Sequence, residues 1–211
     1  TRVWGVLLTV VMLLAMFPVA AFAAEGDVAQ IGDVTYPTLE AAVEAATPGA
    51  TIVLIDDVEL DATGKASGNG ECVLSIDKDL IIDGQYHTIK GVNFTAAQDN
   101  IRLINVVNGA NVTFTDVTLD GNKSGTDADE VGARHGLNIY GAGEVVLDNV
   151  TIQNCRWYAV VNNGSTLVVN GLTTKDNQWG INIEDSSTTI INDATVNEAD
   201  SIVYENTQSN G

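Results

Sequence analysis

The chain has 211 residues, and its 28 acidic and 9 basic side chains give a formal net charge of −19. A surface of this charge repels phosphate backbones and anionic lipid headgroups, so we exclude nucleic acid and anionic membrane surfaces as electrostatic partners. Hydrophobic residues make up 45% of the chain, which also contains 20 glycines and 3 prolines. This composition predicts a folded domain of many short strands joined by tight turns, and it excludes a disordered chain.

The chain opens with an apolar segment that has the features of a secretory signal. Arg2 precedes an almost unbroken apolar run from Val3 to Phe22, which ends in the small-residue pattern Ala21-Phe22-Ala23. We therefore predict that residues 1–23 are a signal peptide and that the protein is secreted or displayed at the cell surface. A transmembrane anchor is the alternative, because about 20 apolar residues can span a bilayer. The small residues that follow, without basic neighbours, favour cleavage and no membrane insertion afterwards.

Residues 24–50 predict a lead-in strand followed by a short N-terminal capping α-helix. Thr38 is a suitable N-cap, and Pro48-Gly49 stops the helix. The helical spacing places four apolar residues on one face: Leu39, Ala42, Val43 and Ala46. We expect this helix to cover the first strands, because an open β-edge invites aggregation.

A 22-residue repeat is the strongest pattern in the chain. Segments that start at His135, Trp157 and Trp179 superpose at this spacing, and a truncated fourth copy starts at Ser201. Within each segment, apolar residues alternate in three runs separated by bends, which predicts three short strands. In the first segment these residues are Leu137, Ile139, Val145, Leu147, Val150 and Ile152.

Such a repeat buries its inward face only when neighbouring repeats stack, so residues 51–211 predict an all-β fold. The specific expectation is a right-handed parallel β-helix, a solenoid with three strands per coil and a 22-residue period. Stacking then places Leu147, Val169 and Ile191 over one another. The same pattern recurs at 110–121 with a 33-residue offset. The excess predicts an 11-residue insertion at 121–131 that forms a surface loop.

The two ends of the sequence predict that the protein is longer. The chain starts with Thr1 instead of Met, and Gly211 follows a strand-like run. We expect the β-helix to be truncated at its C-terminal end and further domains of the same chain to follow Gly211.

The opening IGDVTYPTLEAAVEAATPGATIVLIDD and the later IIDGQYHTIKG carry a family resemblance. With these motifs, residues 30–211 resemble the pectate-lyase-like, right-handed β-helix superfamily, and in particular repeat-rich surface proteins of Gram-positive bacteria. The resemblance implies the fold. It leaves the activity open, because the superfamily includes lyases, hydrolases, epimerases, adhesins and proteins without known chemistry.

Three aromatic residues, His135, Trp157 and Trp179, occupy equivalent positions in the 22-residue repeat, with Arg134 and Arg156 next to them. Aromatic faces stack against sugar rings, while Arg side chains bond hydroxyls or carboxylates. We therefore predict an adhesin-like binding module with an extracellular glycan as its partner. The alternative is that these rings only pack against each other at a corner of the fold.

The predicted insertion contains a candidate calcium loop. Its oxygen-bearing residues are Asp120, Asn122, Asp127 and Asp129, and the start of the loop has the ligand spacing of a calcium-binding loop. Val131 stands where a bidentate Glu belongs. Calcium is thus the candidate cofactor, and an acidic, solvated loop is the alternative.

Catalytic signatures are incomplete. Arg134-His135-Gly136 is similar to the Gly-His-Gly of the polygalacturonase family, but the paired Asp one coil earlier is missing. We therefore predict binding without catalytic residues. A polysaccharide lyase or glycoside hydrolase that acts on acidic polysaccharide is the alternative function, and a structural stalk of a larger surface protein is the second.

Cys72 and Cys155 are the two cysteines of the chain. Several coils of about 4.8 Å would separate them, which is beyond disulfide reach. We predict two thiols, with Cys155 buried at a turn position that Asn122 and Asn177 share.

Overall fold

The computed structural model describes residues 26–126, 129–184 and 186–197, together with the backbone of residues 203–206. The predicted signal peptide at residues 1–23 lies outside these residues. Strands dominate the described part, and its α-helix, α1, spans Leu39–Ala45. None of the described helical residues forms a helix that is long and apolar enough to cross a bilayer. The predicted all-β class is confirmed.

An antiparallel hairpin and α1 precede the parallel strands. β1 (Ala29–Ile31) pairs with β2 (Val34–Tyr36) and, on its other side, with β3 (Ala50–Leu54). The Thr38 hydroxyl accepts a hydrogen bond from the Ala41 N–H at 3.1 Å, which confirms the predicted N-cap.

The apolar face of α1 is buried as predicted, at Leu39, Ala42, Val43 and Ala46. At the other end of the helix, the Lys78 ammonium donates hydrogen bonds to the carbonyl oxygens of Val43, Glu44 and Ala46 at 3.1–3.3 Å. A cation at this end complements the helix dipole and satisfies carbonyls that have no partner within the helix. This contact connects α1 to Lys78, which lies two residues before the strand Leu80–Asp83.

The remaining strands follow in chain order, and all of their pairings with one another are parallel. They are β4 (Val58–Asp61), β5 (Cys72–Ile76), β6 (Leu80–Asp83), β7 (Thr88–Val92), β8 (Arg102–Val107), β9 (Val112–Asp120), β10 (His135–Tyr140), β11 (Glu144–Gln153), β12 (Tyr158–Asn163), β13 (Thr166–Val169), β14 (Leu172–Lys175), β15 (Trp179–Glu184), β16 (Thr188–Ile191), β17 (Ala194–Asn197) and β18 (Val203–Asn206).

These strands form two sheets. The first has 12 strands, and its main path runs β16-β13-β11-β9-β6-β3-β1-β2. The strands off this path, β17, β14, β7 and β4, pair with one another or with the second halves of β9 and β11. The second sheet has 6 strands in the order β18-β15-β12-β10-β8-β5.

The long strands β9 and β11 bend in the middle, at Asp116 and Asn149. Both residues have a positive φ, of 48° and 55°, which Asp and Asn tolerate better than most residues. The Asn149 amide also donates a hydrogen bond to the Asp116 carboxylate. The sequence predicts two strands with a bend at Asp148-Asn149, and the structure has one strand whose two halves pair with different neighbours.

The 22-residue register is confirmed in the 12-stranded sheet from β11 onward. Leu147 pairs with Val169, and Val169 pairs with Ile191. Leu147 and Val169 are fully buried, whereas Ile191 is 41% exposed. The predicted alignment therefore holds, and the aligned side chains become less buried toward β16.

In the 6-stranded sheet the uniform 22-residue register is wrong. Leu137 pairs with Val160, one position beyond the repeat spacing, and Val160 pairs with Ile181, one position short of it. One extra residue in the bend before β12 shifts that strand by one position, and a shorter bend after it restores the spacing. As a result Val160, not Ala159, aligns with the core residue Leu137, and Asn162, not Val161, aligns with Ile139.

The predicted insertion lies between β9 and β10. Its ends are held by an antiparallel bridge between Ser124 and Val131. Arg102 pairs with His135 in the 6-stranded sheet, and Val112 pairs with Val145 in the 12-stranded sheet. Both pairings have a 33-residue offset, so the insertion lengthens the spacing by the same number of residues in the two sheets. The loop leaves the strand pairing on either side of it intact.

Cys72 and Cys155 are thiols, as predicted. Cys155 is fully buried. The side chain of Asn177 lies beside it: its oxygen accepts a hydrogen bond from the Cys155 N–H at 2.8 Å, and its amide donates to the Ile152 carbonyl at 3.0 Å. Asn177 thus satisfies two backbone groups inside the bend.

Candidate functional site

A groove of about 640 Å³ lies along the 6-stranded sheet. Asn138 and Tyr140, two of its lining residues on β10, alternate with the core residues Leu137 and Ile139, so this part of the groove is on the face opposite the core. Of the residues that the sequence pointed to, Arg134, His135 and Trp157 line the groove, whereas Arg156 and Trp179 do not. The parallel register arranges most of the lining into three rows.

The first row, which we call the aromatic row, runs across the start of the strands and consists of the lining residues Arg102, His135 and Tyr158, and of Trp179, which continues the row beyond the groove. The Tyr158 ring stacks on His135 with centroids 5.5 Å apart and on Trp179 with centroids 4.9 Å apart. The predicted equivalence of His135, Trp157 and Trp179 is therefore wrong at its middle position. The shift of β12 puts Tyr158 in the stack, and Trp157 meets Trp179 edge to face.

The stacked rings cover each other. Both faces of Tyr158 are in contact with neighbouring rings, and the guanidinium of Arg134 lies 3.6 Å from the centroid of Trp157. A cation in this position is attracted by the ring and is held in one orientation. These contacts match the alternative that the rings pack against each other. They also hold Arg134 at the groove.

The second row, the amide row, crosses the middle of the strands and consists of Asn105, Asn138, Val161 and Asn182. Asn105 and Asn182 are only 3% and 5% exposed. Their amide groups donate to the Gly70 carbonyl at 2.8 Å and to Glu184 at 3.1 Å. The side-chain oxygens of both residues are buried without a hydrogen-bond partner among the described residues. Such acceptors are costly unless something bonds them.

The third row, the outer row, crosses the ends of the strands and consists of Val107, Tyr140, Asn163 and Glu184. Tyr140 is 61% exposed and takes part in none of the ring contacts found in the described part of the chain. Its ring is therefore more accessible than those of Trp157 and Tyr158, which also line the groove and are half-buried. Sequence reasoning missed Tyr140, although its alternation with Ile139 indicates that it points away from the core.

Two arginines line the end of the groove near the aromatic row. Arg102 donates to the carbonyls of Gly68 and Asn100 at 2.6 and 3.3 Å, and the Nε atoms of Arg102 and Arg134 are buried without partners within the described ranges. Burial, followed by repulsion from Arg134, lowers the pKa of Arg102, and burial is also the main cause that lowers the pKa of Arg134. Sequence reasoning missed Arg102, which the 33-residue offset places beside His135.

His135 is buried between these charges. Its Nδ1 atom accepts a hydrogen bond from the Tyr158 N–H at 3.3 Å, so the neutral ring carries its proton on Nε2. Burial lowers the pKa of His135 to about 3, and the positive charges of Arg102 and Arg134 act in the same direction. The ring is therefore a neutral hydrogen-bond donor in the pH range where most proteins work.

This shift predicts a pH-dependent stability. Because the folded pKa is about 3 and the ordinary value is 6.5, protonation below pH 6.5 favours the unfolded chain. As the pH is lowered from 6.5 toward 3, we expect the free energy of unfolding to fall by about 1.4 kcal/mol for each pH unit. Urea unfolding of the wild type and the His135→Gln variant at pH 7.5, 6.5 and 5.5 measures the effect. The variant should lack this part of the slope, and equal slopes would contradict the burial of a neutral ring.

Arg156 is engaged away from the groove. Its Nε atom lies 3.3 Å from the Glu130 carboxylate, and its guanidinium also donates to the Asp99 carbonyl at 3.1 Å. These contacts hold the insertion loop against the neighbouring turn.

The described contacts join two of the four candidate calcium residues, Asp120 and Asn122, and no others. The Asp120 carboxylate accepts hydrogen bonds from the Asn122 N–H and from the amides of Gln153 and Asn154 at 2.7–3.0 Å. Asp127 lies outside the described residues, and Asp129 donates its backbone N–H to the Thr126 carbonyl. No group of three or more His, Cys, Asp or Glu side chains suited to a metal occurs within the described ranges. Calcium binding stays a prediction.

Glu184 is the carboxylate that the described residues contribute to the groove. Glycoside hydrolysis uses two carboxylates that flank the scissile bond. The described lining therefore offers one of the two groups, at the opposite end of the strands from Arg102.

The described lining thus combines an exposed ring, buried amide oxygens without hydrogen-bond partners and two guanidinium groups that form no ion pair among the described residues. No family model matches this chain, and neither a curated protein nor a solved structure matches it.

Proposed function

We propose that the chain is a right-handed parallel β-helix module, secreted or displayed at the cell surface, that binds an extracellular glycan in this groove. The parallel pairing of successive repeats and the shared core of the two sheets support the fold. The apolar segment at residues 3–22 supports the location.

The observation that carries the binding function is the row of buried amide oxygens beside an exposed tyrosine. Asn105 and Asn182 hold acceptors that no group in the described part of the chain bonds, and Tyr140 lies in the neighbouring row. Sugars present hydroxyl donors and an apolar ring face at the same time. A sugar in the groove bonds the amide oxygens with its hydroxyls and places its ring face against Tyr140.

Preorganisation favours this binding. The amide side chains are fixed by their contacts with Gly70 and Glu184 before any ligand arrives, so little side-chain entropy is lost on binding. The sheet spaces equivalent side chains at about 4.8 Å, which offers repeated contacts to a ligand that is itself a chain of similar units.

A glycan array with the full chain tests the proposal, using Tyr140→Ala as the binding variant. We expect the wild type to retain at least one glycan, and we expect Tyr140→Ala to bind that glycan about tenfold or more weakly, because it loses the stacking surface. Tyr86→Ala is the matched control. Tyr86 is also highly exposed, at 77%, but does not line the groove.

Thermal unfolding of both variants confirms that they fold. Equal loss of glycan by the two variants, or no glycan retained by the wild type, would contradict the proposed site. The retained glycan should be recovered unchanged, and its cleavage would show that the chain is an enzyme.

A further inference from the structure

The two arginines of the groove are unusual in a chain of net charge −19. Arg102 and Arg134 both line the groove, and neither forms an ion pair within the described residues. In contrast, Arg156 pairs with Glu130. Two partly buried guanidinium groups without an ion-pair partner among the described residues repel each other, and this costs stability unless an anion offsets it. The Asp99 carboxylate attracts Arg134, and those of Glu184 and Glu71 attract Arg102, but all of them lie beyond ion-pair distance.

The geometry keeps both groups fixed. Arg102 is held by the Gly68 and Asn100 carbonyls, and Arg134 is held over the Trp157 ring. Each retains a buried Nε–H to which the described residues offer no acceptor. Guanidinium groups with free N–H donors bond carboxylate, sulfate and phosphate oxygens in pairs.

The amide row lies beside these charges on the same strands. Asn105 is three residues after Arg102 on β8, and Asn138 is three residues after His135 on β10. Arg102, Arg134 and Asn105 thus line the same groove, and the Asn105 side-chain oxygen has no hydrogen-bond partner among the described residues. Because that side chain is more than nine-tenths buried, the groove is a formed site and not a flat charged surface.

We propose that Arg102 and Arg134 bind an oxyanion substituent of the ligand, a sulfate ester or a carboxylate, while the amide row binds hydroxyls of the same or the next sugar. This inference rests on the proposed glycan function and names the chemical class of the glycan. The strongly acidic remainder of the protein repels anions at long range, so binding depends on these close contacts and gains from salt that screens the repulsion.

The test compares oligosaccharides of one backbone in neutral, carboxylated and sulfated forms by titration calorimetry with the full chain. We expect at least one anionic form to bind about tenfold more tightly than the neutral form. Arg134→Met should lose this preference, so that the anionic and neutral forms bind it with similar affinity. Lys175→Met is the matched control, because it removes one positive charge from an exposed position on the other sheet. It should keep the preference.

A second measurement uses inorganic sulfate and follows the Arg Nε–H resonances by NMR. Shifts that saturate in the wild type and disappear in Arg134→Met support the oxyanion site. If no sugar binds as well, the glycan function fails and so does the assignment of the oxyanion to a sugar, while the anion site itself stands. Equal affinity for neutral and anionic sugars overturns the inference and leaves the glycan function intact. If neither sulfate nor any sugar binds, both are wrong. The carboxylated and sulfated forms identify which oxyanion the site prefers.

Discussion

Replacing Phe114 by alanine is expected to lower the free energy of unfolding by about 3–5 kcal/mol. Phe114 is fully buried, and it heads the described core side chains in volume. It pairs with Ile82 on one side and with Leu147 on the other. Removing the ring leaves a cavity between three successive strands, and the hydrogen bonds of the sheet prevent the strands from closing it. Urea unfolding followed by circular dichroism measures the loss.

Ile190→Ala is the matched control for this substitution. Ile190 also lies in the 12-stranded sheet, but its side chain is 47% exposed. We expect a loss of about 1 kcal/mol or less, because fewer methylene groups leave an apolar environment. Similar losses for Phe114→Ala and Ile190→Ala would show that β9 does not lie at the centre of the core.

Replacing Asn177 by alanine is expected to have an effect of similar size. The Asn177 side chain satisfies the Cys155 N–H and the Ile152 carbonyl in a buried bend. Its removal leaves two backbone groups without these partners, at a cost of about 1–3 kcal/mol for each. We expect the loss in urea unfolding to be accompanied by faster hydrogen exchange of the Cys155 amide.

Asn192→Ala is the corresponding control. Asn192 is exposed and donates its side-chain amide to the Asn170 side chain at 2.7 Å, where water can replace the lost contact. Its substitution should change the stability by less than about 0.5 kcal/mol. If Asn177→Ala were as mild as Asn192→Ala, the bend would not depend on the asparagine.

The spacing of apolar residues predicted the 12-stranded sheet well. Leu147, Val169 and Ile191 are in register because each bend between these strands keeps the total length of the repeat constant. The alternation also identified the buried face of β11, since only every second side chain can point to the core.

The same spacing failed at β12, where the bend takes up one more residue. Polar and small residues in a bend carry no periodic signal that shows which of them lies outside the pairing. Tyr158 and Trp157 are adjacent and both aromatic, so the sequence did not show which of them joins the stack. The choice depends on the bend itself, where the Trp157 N–H donates to the Arg134 carbonyl.

The groove was only partly predictable for a different reason. β8 is apolar along most of its length instead of alternating, and its pairing with β5 does not follow the 22-residue spacing. Arg102 was therefore not recognised as a neighbour of His135. The amide row was visible in principle, because Asn138 and Asn182 each stand between two aliphatic residues of a strand.

The loop between β9 and β10 shows how this architecture tolerates changes in length. Arg102 and His135 remain paired across it, and so do Val112 and Val145. The cost of closing a loop rises by only about 0.6 kcal/mol when its length doubles. A foreign peptide can thus be grafted between Ser124 and Val131 without disturbing the strands, and it would be displayed a few residues before Arg134, which lines the groove.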